Sequence, residues 1–174
     1  CKDEEKVPML SAKNETLTRV CKNTYDGCAL QGSCFIKNKE VSVILNHISY
    51  KNGKHHFFEV NMEQCPFGQG IRSGCLDPFY TVAADLSLFK AGDVIFVPKV
   101  AGTILPNGDM HHGYFIVRDT GGVIDGAGRF DFFSGFSSWR DHANPFNQLK
   151  LTDKGNRIPY FKVSGETAEM VKKA

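Results

Sequence analysis

The sequence predicts a mainly β chain that closes into a small barrel with few and short helices, and three observations point there. Short runs rich in β-branched and aromatic residues recur between turn residues. Fourteen phenylalanines and seventeen glycines stand against a single tryptophan among 174 residues. An Asn-Gly pair, Asn52-Gly53, separates two strand-like runs, which is the strongest short-range hairpin signal. The length suits one domain with a small insertion. We therefore expect a tether over 1–14, one domain over 15–165 with an insertion at about 35–64, and a tail over 166–174.

Taken in order, residues 1–14 are charged and contain a proline, as a frayed end does. Alternation begins at Thr16-Leu17-Thr18-Arg19-Val20, the first expected strand. Val41 to Tyr50 and His55 to Val60 flank Lys51-Asn52-Gly53-Lys54 and read as an antiparallel pair. Cys65 to Cys75 encloses a glycine-rich loop. Asp93 to Val97 is a strand stopped by Pro98, and Leu105 to Asp109 is a turn. Tyr114 to Arg118 is the expected central strand. Ser137 to His142 suggests one helical turn capped by Ser137 and broken at Asn144-Pro145. Ile158 to Val163 is a last strand, and Thr167 to Ala174 is a terminal helix too short to hold by itself.

An apolar share of 41% fills a core, and a net charge of +2 gives no reason to expect nucleic acid as partner. No run reaches the apolar length of a membrane helix. Five of the six cysteines, Cys21, Cys28, Cys34, Cys65 and Cys75, precede the central strand without a partnering histidine, which suits disulfides in an oxidising compartment better than zinc. Cys65 with Cys75 is the favoured pair, and the rest stay open. Cys1, followed by a polar Lys-Asp-Glu-Glu-Lys, has two readings: a lipid-bearing first residue, or an ordinary disulfide partner. No metal ligand set, phosphate loop, dinucleotide fingerprint or Gly-x-Ser-x-Gly elbow is present, so neither a metal nor a cofactor is expected.

The stretch that carries chemistry runs from Tyr114 to Gly135. Its apolar strand stops at Arg118-Asp119, and Thr120-Gly121-Gly122 turns the backbone. Asp131 follows between Phe130 and Phe132. A carboxylate in apolar surroundings near a second negative charge holds its proton longer, as a general acid must. These residues resemble the signature of the three-aspartate (3D) domain, shared by the membrane-bound lytic transglycosylase A family and the stationary-phase survival proteins. Asp119-Thr120-Gly121-Gly122, Ile124, Gly126 and Asp131 match its pattern, and Ala83-Ala84-Asp85 through Val97-Pro98 fits its upstream part. The chain departs at Asp125, where the family usually carries a basic residue, and is one residue longer between the two aspartates.

The resemblance implies a six-stranded double-psi β-barrel and an envelope protein, periplasmic or secreted, whose one link to a membrane would be a lipid anchor on Cys1. It implies a monomer acting on peptidoglycan glycan strands. Asp131 would be the acid/base that cuts between N-acetylmuramic acid and N-acetylglucosamine, with Asp119 and Asp85 as supporting carboxylates. Thr120, Gly121, Gly122, Arg129, His111, Tyr25 and Trp139 would contact the glycan. A lysozyme-like hydrolase of the same bond, or an expansin-like wall-binding module without activity, are the alternatives.

Overall fold

The computed structural model describes every residue except Glu40, Trp139, Thr152, Lys154, Asn156 and Ala174. The chain divides into two units, Cys1–Gln69 and Gly70–Ala174. Its described residues form ten strands in two five-stranded sheets. The mainly β class stands. The single 15–165 domain does not, because residues 7–59 pair among themselves instead of decorating a barrel.

In the first unit the strands are β1 (Val7–Leu10), β2 (Thr16–Val20), β3 (Ser33–Lys37), β4 (Ser42–Lys51) and β5 (Lys54–Glu59), in the order β2-β1-β5-β4-β3. The expected tether is thus largely structured: β1 pairs antiparallel with β2, and Met9 is fully buried. The expected hairpin forms as β4 and β5. Asn52 and Gly53 take φ of 52° and 75°, the left-handed pair that matches a two-residue turn to strand twist. Helix α1 (Lys22–Gln31) ends on Gly32 at φ 80°, a left-handed cap. Its sequence lacks an apolar stripe. Disulfides hold both its ends, Cys1–Cys21 at the N-cap and Cys28–Cys34 to β3. The Cys1 sulfur is bonded to Cys21, the disulfide reading of that residue. Cys65 and Cys75 are disulfide-bonded too, and no described cysteine is free.

In the second unit the strands are β6 (Thr81–Ala83), β7 (Val94–Phe96), β8 (Tyr114–Asp119), β9 (Asp131–Phe132) and β10 (Phe161–Val163), in the order β10-β7-β8-β6-β9. This sheet has five strands, where a six-stranded barrel was expected. β8 is central, parallel to β6 and antiparallel to β7. One face carries the main core, with Val82, Ile95, Phe115, Val117, Phe130, Phe132 and Phe146. The other buries Val94 and Ile116 under Ala168 of helix α3 (Gly165–Lys173), so the expected tail is an ordered helix. The described residues of 137–142 form no helical turn: Arg140 and His142 lie in turns, and Asp141 N–H donates to the Ser138 carbonyl at 3.0 Å. Asn144-Pro145 opens a helix instead of breaking one. The Asn144 side chain accepts from Phe146 N–H at 3.0 Å and Pro145 leads α2 (Pro145–Gln148), a position where its missing N–H costs nothing. Among the described residues no helix is long and apolar enough to cross a membrane.

Candidate active site at the carboxylate end of the second sheet

Three strand ends bring the aspartates together. Ala83 at the end of β6 pairs with Asp119 at the end of β8 on one side and with Asp131 at the start of β9 on the other. Residues in register across a sheet point to the same face. Asp119 reaches that face through an irregularity. Val82 pairs with Val117, and then Ala83 pairs with Asp119, so Arg118 is an extra residue. Phe115 and Val117 face the core, and simple alternation would send residue 119 there as well. The bulge at Arg118 turns Asp119 to the opposite face, a common use of such irregularities.

The environments of the three differ. Asp119 is half-buried, its Oδ1 accepting from Thr120 N–H at 2.9 Å. Burial raises its pKa above the ordinary carboxylate value, the Thr120 N–H pulls it back in part, and the charge of Asp131 raises it further. Asp131 is exposed. Its neighbours Phe130 and Phe132 enter the core, and alternation along the strand leaves the carboxylate outside. The apolar surroundings expected from its flanking phenylalanines are therefore absent. The desolvated member of the pair is Asp119.

Asp85 stands two residues beyond Ala83 and works as a brace. Its Oδ2 accepts from Gly126 N–H and its Oδ1 from Ser87 N–H, both at 2.8 Å. The Gly126 bond first, and then the Ser87 hydroxyl and N–H, hold its pKa down to about 2, so it stays ionised. It thereby ties the turn after β6 to the loop between β8 and β9. Thr120 adds a second tie, its hydroxyl donating to the Ala84 carbonyl at 3.2 Å. Gly121 lies against Ile124, while a side chain on Gly122 would meet nothing. Arg129 is half-buried and donates from Nη1 to the Phe130 carbonyl at 2.7 Å. Arg157, which the sequence did not single out, donates to the Asp125 carbonyl at 2.7 Å from a distant segment.

One of the expected contact residues, His111, lies elsewhere in the second unit, Tyr25 belongs to the first unit, and Trp139 falls outside the described residues. Tyr25 is on α1 of the first unit. His111 precedes the opposite end of β8, and five strand steps alone separate the two ends by roughly 17 Å. It is fully buried, with Nε2 donating to the Phe79 carbonyl at 2.6 Å and Nδ1 accepting from Gly113 N–H at 2.7 Å. Both ring nitrogens are occupied, so His111 is a core brace and not a sugar contact. Among the described residues no three His, Cys, Asp or Glu side chains form a group able to hold a metal ion.

Desolvation lowers the His111 pKa to about 4. The unfolded chain binds a proton near 6.5 that the folded chain refuses until about 4, so stability is full above 6.5 and drains away as pH falls. The expected loss is about 3 kcal/mol by pH 4, read from urea midpoints across that range. Midpoints that do not move between pH 7 and 5 would contradict the buried neutral imidazole.

Residues 80–143 match the family model of the 3D domain. The chain carries a 3D domain. The matched segment contains Asp85, Asp119 and Asp131, so the 3D domain supplies all three carboxylates of the site. Among solved structures the chain resembles the crystal structure of E. coli MltA with bound chitohexaose, at a TM-score of 0.52 and 16% identity. That alignment covers 88% of this chain and 57% of that chain. At such identity the likeness establishes the fold. None of the curated proteins matches.

Proposed function

We propose that this protein cleaves the glycan strand of peptidoglycan between N-acetylmuramic acid and N-acetylglucosamine, in the manner of a lytic transglycosylase. The observation that carries the reading is the pairing of Asp119 and Asp131 with one residue, Ala83, which sets two coupled carboxylates at one end of the sheet. The parallel β6–β8 pair between antiparallel β7 and β9 also supports a double-psi reading of this unit.

Asp131 is exposed and meets the glycan. A sugar laid over it strips away water and disfavours its charged form, whereas Asp119 keeps the Thr120 N–H that stabilises a charge. The reaction then starts from Asp131 in its protonated form. Its proton passes to the glycosidic oxygen as the bond from C1 to that oxygen breaks. The resulting carboxylate removes the proton of the C6 hydroxyl of the muramoyl unit as O6 bonds to C1. Asp131 ends protonated again, and the product is a 1,6-anhydro sugar made without water. The Gly121-Gly122 turn leaves room for the chain beside the carboxylates, with Thr120 and Arg129 at its margin. The disulfides suit an oxidising location in the cell envelope, periplasmic or secreted.

A hydrolase needs its carboxyl groups about 5–9.5 Å apart. The Cα atoms of Asp119 and Asp131 are two strand spacings apart, roughly 10 Å, so that chemistry is the natural competitor. Digestion of purified peptidoglycan with mass analysis of the new ends separates the cases. Anhydro ends are expected. Plain reducing ends would replace the lytic route by hydrolysis, and intact glycan that retains the protein would reduce it to a binder.

A further inference from the structure

The first unit contains a hollow of about 520 Å³ between α1, β1 and the β4–β5 turn, well within the range of about 300–1,000 Å³ typical of small-ligand sites. Its wall is a run of joined rings. Tyr50 lies opposite His55 in the β4–β5 register with ring centroids 4.6 Å apart, and Tyr25 meets His55 edge-on at 5.8 Å. The middle ring is fixed from behind, since His47 Nε2 and His55 Nδ1 are 2.9 Å apart and share a proton. Tyr25 is fixed as well, its hydroxyl accepting from His55 N–H at 3.1 Å. Tyr50 is 62% exposed, so an aromatic surface faces water on an otherwise rigid hairpin.

The rim is polar. Lys22 and Asp26 form an ion pair there, and Asn14 and Lys54 complete it. Donors and acceptors are both at hand, and two cations against one anion give too little charge to select a phosphate or a polyanion. Ring faces beside balanced hydrogen-bonding groups fit a ligand with C–H faces and many hydroxyls. We propose that the first unit binds a short neutral chain of β-linked pyranose sugars, with Tyr50, His55 and Tyr25 as its stacking surface. This goes beyond the cleavage reading and does not require it, because the hollow belongs to the unit without the carboxylates.

The test titrates the full ¹⁵N-labelled chain, carrying Asp131→Asn to prevent turnover, with the β-1,4-linked hexamer of N-acetylglucosamine and, separately, with the glucose hexamer. Amide shifts clustered at residues 22–26 and 50–55 are expected with at least one of them. Tyr50→Ala is expected to weaken that binding about tenfold or more, with Tyr50→Phe close to the parent. Because Tyr50 is largely exposed, both variants should fold, which the spectra themselves report. Shifts confined to residues 70–173 would overturn the first-unit site while leaving glycan binding at the carboxylates intact. Absence of any shift with either sugar, or unchanged binding in Tyr50→Ala, would also overturn it.

Discussion

Asparagine in place of Asp131 is expected to lower glycan cleavage roughly 10²–10⁴-fold, the usual contribution of a positioned acid/base, with little change in stability because the side chain is exposed. Asp119→Asn tests the other half of the pair. Its charge opposes ionisation of a neighbour, just as the charge of Asp131 raises the pKa of Asp119. Without it the pair loses the repulsion that favours a protonated acid beside a charge. The expected phenotype of Asp119→Asn is thus a rate profile with less activity at pH 8, relative to acid pH, than the parent's. Initial rates on purified glycan strands across pH 4–8 distinguish the two variants. Cleavage by Asp131→Asn within twofold of the parent would remove the acid role from that residue. An Asp119→Asn profile that keeps its alkaline limb would uncouple the pair.

Much of this site was legible because its signals are local. The apolar run of Tyr114 to Val117 has strand length, and the polar break at Arg118-Asp119 marks its end. Asp119-Thr120-Gly121-Gly122 and Asp131 then announce the 3D domain by residue type and spacing. The Asn52-Gly53 turn was legible for the same reason, since two left-handed residues leave little choice of side chain. The bulge at Arg118 was not legible. It is a relation between β6 and β8, some 35 residues apart in the chain, and it exchanges the face on which Asp119 emerges. The sequence therefore suggested that Asp131 was the carboxylate kept from water, when strand alternation puts it outside and the bulge leaves Asp119 half-buried. Helix α1 was hidden because Lys22 to Gln31 has no apolar period and carries Gly27. Disulfides at both ends supply what the periodicity lacks, and cysteine spacing alone does not reveal pairings. His111 had nothing in its neighbourhood to distinguish a core brace from a ligand contact, since burial is decided by residues far away in the chain.

The largest stability effect should come from Gly70→Ala. Gly70 has φ −97° and ψ −148°, outside the left-handed region, so the cost of a side chain there is chiefly steric. A Cβ there would fall 1.9 Å from the Arg118 carbonyl oxygen and 2.9 Å from Leu76 Cδ2. Leu76 can swing aside, but the carbonyl belongs to the backbone of the bulge and is fixed by the pairing of β8 with β6. Relief requires a backbone shift of more than an ångström, so we expect a loss of about 3 kcal/mol or more. Gly122→Ala is the matched control, because a Cβ there meets nothing, and it should stay within about 0.5 kcal/mol of the parent. Urea midpoints of the two variants make the comparison. Any Gly70→Ala protein that still folds should also lose cleavage, since moving the Arg118 carbonyl moves Asp119, the next residue, out of register with Ala83. Full stability and full activity in Gly70→Ala would mean that the bulge yields freely. The fixed spacing between the two carboxylates, from which the acid–base chemistry was derived, would then have no support in the backbone.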